Sequence, residues 1–151
     1  MTQRVTRSIT VRRPHCDVAK FVTDPHRFLP VIPGFGRFRF VEPGPESGEE
    51  LWDVFLAVGT LHVGGRVVVS KPSVNRLEWQ SHRGAQHAFS VNVEPVGDQA
   101  RLTMTLEYHF GGFVTGRVTE LVGRGIAVRH LEAGLQEVRH LLEYGDLVEL
   151  T

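Results

Sequence analysis

Two side chains capable of acid–base chemistry fall on the apolar parity of neighbouring segments. In 86–94, His87, Phe89, Val91 and Val93 alternate with Ala88, Ser90, Asn92 and Glu94. In 100–110, Leu102, Met104, Leu106, Tyr108 and Phe110 alternate with Arg101, Thr103, Thr105, Glu107 and His109. Such alternation marks strands with one covered face, so His87 and Tyr108 are expected to point inward. An inward histidine can serve as a general base, because its unperturbed pKa is about 6.5. An inward tyrosine can polarise a carbonyl or donate to an oxyanion. Arg7 shares the parity of Val5, Ile9 and Val11 in an opening strand over 4–12, an unusual place for a cation. The three together would form a polar patch able to fix or enolise a carbonyl. The competing reading leaves His87 partly wet at its strand start and bonded to backbone.

The same parity argument turns Leu77, Trp79 and Ser81 inward. Trp52 and Phe55 have opposite parity, so only one can face the interior; Trp52, with Val54 and Leu56, is favoured. The candidate ligand-binding set is therefore Trp52, Trp79, Ser81, His87, Phe89, Met104 and Tyr108 on strands. Val128, Leu131 and Leu135 join it from a final helix. Aromatic walls with a few polar groups suit a small ring-containing or acyl molecule. A dry packed core would use the same residues.

Other chemistries are poorly supplied. Eight histidines stand at 15, 26, 62, 82, 87, 109, 130 and 140, with no pair at the i, i+4 spacing of a helical zinc motif. His82 and His87 flank one turn, a weak metal signal. Cys16 is the only cysteine, so neither a disulfide nor an iron–sulfur centre can form within the chain. Gly64-Gly65 and Gly111-Gly112 lack the lysine and hydroxyl of a phosphate loop, and no Gly-x-Ser-x-Gly elbow is present. No metal and no cofactor is expected. Lys plus Arg and Asp plus Glu are both 17, giving zero net charge, so the broad basic field of nucleic-acid binding is missing. A single cysteine, the lack of an apolar signal region and no run of about 20 apolar residues point to a soluble cytoplasmic protein. Cys16 is expected to pack in an early helix.

The elements that must position these residues follow from punctuation and period. The chain has 151 residues, enough for one domain over 1–151. Pro14 ends the opening strand, and Val18, Phe21 and Val22 fall at helical spacing within 15–23. Asp24-Pro25 reads as a cap and first position of a second short helix, which Pro30 and Pro33 must stop. Strands are then expected at 36–42, 49–58, 61–70, 74–82, 86–94 and 100–110. They are joined by Pro43-Gly44-Pro45, Gly59-Thr60, Lys71-Pro72-Ser73, Arg83-Gly84-Ala85 and Pro95-Val96-Gly97-Asp98. Connections this short make an antiparallel meander, which the first strand joins at an edge or closes. After Gly111-Gly112 the period becomes helical over 114–144, with Val118, Leu121, Val128, Leu131, Leu135, Val138 and Leu142 in one stripe. Gly123, Gly125 and Gly134 inside it suggest a kink or a place left open. The tail from Leu147 to Leu150 is apolar enough for a homodimer contact, against a default of fraying.

This fold class is α+β: a curved seven-stranded antiparallel sheet wrapped around a long C-terminal helix. Each apolar surface is the other's only large partner, and the sheet encloses more volume than the helix fills. The order of elements resembles the START/polyketide-cyclase (SRPBCC) superfamily, with its helix-grip fold. The resemblance is carried by Arg13-Pro14 after the first strand and by Asp24-Pro25-His26-Arg27-Phe28-Leu29-Pro30. It extends to Leu135-Gln136-Glu137-Val138-Arg139-His140-Leu141-Leu142-Glu143. It implies a hydrophobic pocket beneath the C-terminal helix, but no single activity, because members include lipid carriers, hormone receptors, aromatase/cyclases and ring-hydroxylase subunits. The leading expectation is a carrier of a small hydrophobic molecule, lipid, isoprenoid or polyketide-like. The alternatives are an aromatase/cyclase-like enzyme using His87, Tyr108 and Arg7, and an interaction protein with a vestigial pocket.

Overall fold

The computed structural model describes residues 2–31, 37–58, 61–84, 86–109 and 117–145. The elements run β1 (Thr2–Val11), α1 (His15–Val22), α2 (Pro25–Phe28), a 3-10 turn (Leu29–Val31), β2 (Arg37–Pro43), β3 (Glu50–Val58), β4 (Leu61–Ser73), β5 (Arg76–Gly84), β6 (His87–Val96), β7 (Gln99–His109) and α3 (Arg117–Tyr144). The strands form one antiparallel seven-stranded sheet in the order β1-β7-β6-β5-β4-β3-β2. The opening strand thus joins at an edge, beside β7. Strands of eight or more residues with alternating apolar positions twist readily, and α3 lies against the covered face.

Local chemistry sets the boundaries. The Pro14 carbonyl accepts from the amides of Asp17 and Val18, which starts α1. Asp24 caps α2 by accepting from the His26 amide at 3.1 Å, with Pro25 at the first position. Gly97, at φ 61°, supplies the left-handed conformation that the β6–β7 turn requires.

Three expectations are corrected. Lys71-Pro72-Ser73 is not a turn: β4 continues to Ser73 and the chain reverses at Val74-Asn75. The register shifts between Ser70 and Ser73, and an irregularity of this kind tolerates the missing amide of Pro72. Strand β5 likewise runs through Gly84, the middle of an expected turn. Cys16 is exposed, not packed. Val18, Ala19, Phe21 and Val22 define the buried stripe of α1, and Cys16 lies about opposite its centre at 100° per residue. Gly111-Gly112 and the tail at 147–150 lie outside the described residues. Within α3, a side chain at Gly125 would meet open space, whereas Gly134 is buried.

The core runs between sheet and helices. Val5, Trp52, Val54, Val67, Val69, Leu77, Trp79, Phe89, Val91, Leu102, Met104 and Leu106 are buried on strands, and Ala127, Leu131, Leu135, Val138 and Leu142 on α3. Among the described side chains of β3, Trp52 and Val54 are therefore inward and Phe55 is exposed, while the side chain of Leu56 lies outside the described ones. On the outer face, Asp53 accepts from Arg39 at 2.6 Å and from Arg66 at 3.2 Å, which holds its carboxyl below the usual range, Arg39 contributing most.

A polar clasp fixes the end of α3 to the chain just after β1. The Glu143 carboxylate, 6% exposed, accepts from the Arg12 amide at 2.8 Å and faces the Arg12 guanidinium at 3.3 Å. The same guanidinium donates to the Tyr144 hydroxyl at 2.6 Å. The Glu143 carboxyl is held low mainly by the backbone amide, against burial, with the guanidinium adding to it. A depressed carboxyl contributes stability above its unfolded pKa, about 4.3, and that contribution fades as pH falls through the folded value. Glu143→Ala leaves the Arg12 amide without its acceptor and is expected to cost about 1–3 kcal/mol at neutral pH, read by urea unfolding. The deficit should shrink below about pH 4. A deficit that persists unchanged in acid would mean that the charge is not what holds the clasp.

Candidate functional site

The inner wall of the sheet is built from aromatic side chains on β2, β5 and β6. Trp79 and Phe89 are direct cross-strand partners, and their rings stack with centroids 4.2 Å apart and planes 21° from parallel. Phe38 meets Trp79 edge-on at 6.0 Å, and Phe28 of α2 tilts against Phe89 at 6.4 Å. Met104 continues the wall as the cross-strand partner of Val91. From α3, Leu131 and Leu135 are buried and Val128 is partly buried against the same core.

The polar groups of the wall gather where β5 gives way to β6. The Trp79 Nε1–H donates to His87 Nε2 at 3.1 Å, and the His87 amide donates to the Ser81 hydroxyl at 3.2 Å. An indole N–H can only donate, so Nε2 must carry the lone pair and Nδ1 the proton; the imidazole is neutral in this arrangement. His87 and Tyr108 are direct cross-strand partners, which brings their side chains to one face about 5 Å apart at Cβ. Ser81, His87 and Tyr108 are all half-buried. His82, across the turn, is exposed.

Arg7 does not join them. It is paired with Met104, while Tyr108 is paired with Gln3, so four residues of strand, about 14 Å, separate the two positions. α3 packs against β1, and the Arg7 side chain meets it there. There its Nε lies 3.5 Å from Glu132 Oε1, and its Nη1 donates to the Thr6 carbonyl at 2.7 Å.

Trp52 belongs to a second cluster that the parity of β3 did not announce. Its Nε1–H donates to Glu50 at 3.1 Å, and the other Glu50 oxygen lies 3.0 Å from His26 Nε2. The His26 ring sits 5.0 Å from Trp52 and 5.1 Å from Phe40. The sequence signal was slight: Glu50 and Trp52 share a parity two residues apart. This cluster ties α2 to β3. Among the described residues, no three His, Cys, Asp or Glu side chains gather as metal ligands would. None of the described helices is long and apolar enough to cross a membrane.

Known proteins give this geometry a context. A solved structure of TTHA0849 from Thermus thermophilus matches with TM-score 0.79 and 15% identity, over 93% of this chain and 97% of that one. The Zhui aromatase/cyclase of Streptomyces sp. R1128 matches with TM-score 0.78 and 13% identity, over 95% and 94%. A START superfamily protein from Mycobacterium smegmatis matches with TM-score 0.72 and 15% identity, over 91% and 98%. At such identities the likeness is one of fold, the helix grip. No curated protein matches the sequence. Residues 2–143 match the family described as polyketide cyclase/dehydrase and lipid transport. The chain accordingly belongs to that family, within the START/SRPBCC superfamily.

Proposed function

We propose that this protein binds a small hydrophobic molecule between the inner face of its sheet and α3. The observation that supports this best is the stacked Trp79–Phe89 wall, which carries its polar groups, Ser81, His87 and Tyr108, together at one end. A wall of this kind gives apolar contact along a ligand's body and a few hydrogen bonds to fix its orientation. Membership of a family described by both cyclisation and lipid transport agrees with it. The neutral fluorophore N-phenyl-1-naphthylamine should bind saturably at one site per chain, with a blue-shifted emission fed by tryptophan. Long-chain alcohols and polycyclic aromatics should displace it. Non-saturable binding with no displacement would sink the reading.

A second reading, an aromatase/cyclase-like enzyme, is favoured by the pairing of His87 with Tyr108. In it, the His87 Nδ1–H and the Tyr108 hydroxyl would donate to a ketone oxygen. Nε2 would act as base only after giving up the Trp79 bond. The two readings separate on His87→Gln. A carrier keeps its fluorophore affinity and consumes no poly-β-ketone mimic before or after the change. A cyclase consumes the mimic and loses that activity by about 100-fold or more.

A further inference from the structure

Arg27 stands in α2 between the capping segment and buried Phe28. Its guanidinium carbon lies 5.9 Å from the ring centroid of Phe21, itself almost fully enclosed. The Nη2 atom is buried and meets no hydrogen-bond partner among the described residues. A guanidinium keeps its charge at any physiological pH and can only donate, so a buried donor facing no acceptor is costly. The nearby carboxylates are committed elsewhere. Asp24 caps the His26 amide, Glu50 takes His26 and Trp52, and Asp17 holds Arg13. By contrast, Arg12, Arg39, Arg66 and Arg76 each meet a carboxylate. The position matters as well. α2 packs on α1 and on the 3-10 turn, which touches α3 and β2, while α1 lies on β5, β6 and β7. These elements close one end of the sheet, and Phe28 reaches from there to Phe89.

We propose that Arg27 is an anion subsite of the ligand-binding interior: its buried Nη2 donates to the carboxylate of an amphiphilic acid whose apolar body lies along the Trp79–Phe89 wall. This rests on the ligand-binding reading above and narrows the ligand class to hydrophobic carboxylic acids. The cation on Phe21 is held in place on one side by the ring face, which leaves the edge of the guanidinium for a carboxylate. Phe28, the next residue in α2, touches the wall at Phe89.

The test compares dodecanoate with dodecanol by calorimetry at pH 7, on the wild-type protein and on Arg27→Met and Arg27→Gln. The wild type should prefer the acid by about tenfold or more, the worth of one charge-assisted hydrogen bond. Both variants should lose that preference while holding dodecanol within about twofold of the wild type. Two variants are used because one of them could fail to fold. Thermal melts report this, and the wild-type preference is readable without either. Equal affinity for acid and alcohol in the wild type would overturn the anion subsite while leaving the pocket intact. A preference that survives both variants would place the anchor elsewhere and overturn it too. If neither ligand binds, the pocket reading fails and the subsite fails with it.

Discussion

Phe89→Ala is expected to destabilise the protein by about 3–5 kcal/mol, measured by urea unfolding at neutral pH. Phe89 is 2% exposed and touches partners from two layers, Trp79 across the strands and Phe28 from α2. Removing the ring therefore loses its own transfer free energy and opens a cavity between sheet and helix that the stiff strands cannot collapse. Two consequences follow from where the ring sits. Trp79 loses its stacking partner, so tryptophan emission should shift to the red. The hold of α2 on the sheet loosens, so amide exchange at His26, Arg27 and Phe28, all bonded back to Asp24, should accelerate by more than the global loss requires. A cost below about 1 kcal/mol would mean that the wall is already solvated and not a packed surface.

Leu131→Asp should be more damaging, at about 4 kcal/mol or more, enough to leave much of the protein unfolded at room temperature. Leu131 is fully buried on α3 and belongs with Leu135, Val138 and Leu142 to the stripe that faces the core. A carboxylate there must either ionise without a partner or take up a proton at neutral pH. Circular dichroism should show loss of α3 together with the sheet, because each covers the other's apolar surface. Retention of native stability would mean that α3 is not seated on the sheet as described. The exposed neighbour Glu132, changed to Gln, gives the control: it loses only the 3.5 Å contact to Arg7, a surface pair worth about 0–1 kcal/mol.

What could be read from the sequence, and what could not, divides along one physical line. Side-chain parity in β5, β6 and β7 placed Trp79, Phe89, Met104 and Tyr108 on the inner face, because one-sided burial forces a period of two. The capping of α2 by Asp24 was equally local and equally legible. Pro72 misled because proline is a turn former only where the ladder cannot absorb it, and the register shift in β4 does absorb it. Parity also grouped Arg7 with His87 and Tyr108, yet it states only the face of a side chain, not its height along the sheet. Register put Arg7 four residues away, and there it meets Glu132 of α3. The clasp of Arg12 on Glu143 and the Trp52–Glu50–His26 chain join residues distant in sequence, or of one parity with no chemical cue, and have no periodic signature. The buried Nη2 of Arg27 is of the same kind: its sequence context, Asp24-Pro25-His26-Arg27-Phe28, speaks of a helix start, and only packing reveals the unanswered donor.

The most direct test of the ligand-binding account is native mass spectrometry of freshly purified protein, followed by organic extraction of whatever accompanies it. The account predicts a second mass at one-to-one stoichiometry and an extract containing a hydrophobic carboxylic acid, an isoprenoid or an aromatic compound. The Phe89→Ala protein should carry less of it. A clean mass for the chain alone, unmoved by a panel of lipids and polyketide mimics, would contradict the account and leave a protein whose interior is filled by its own side chains.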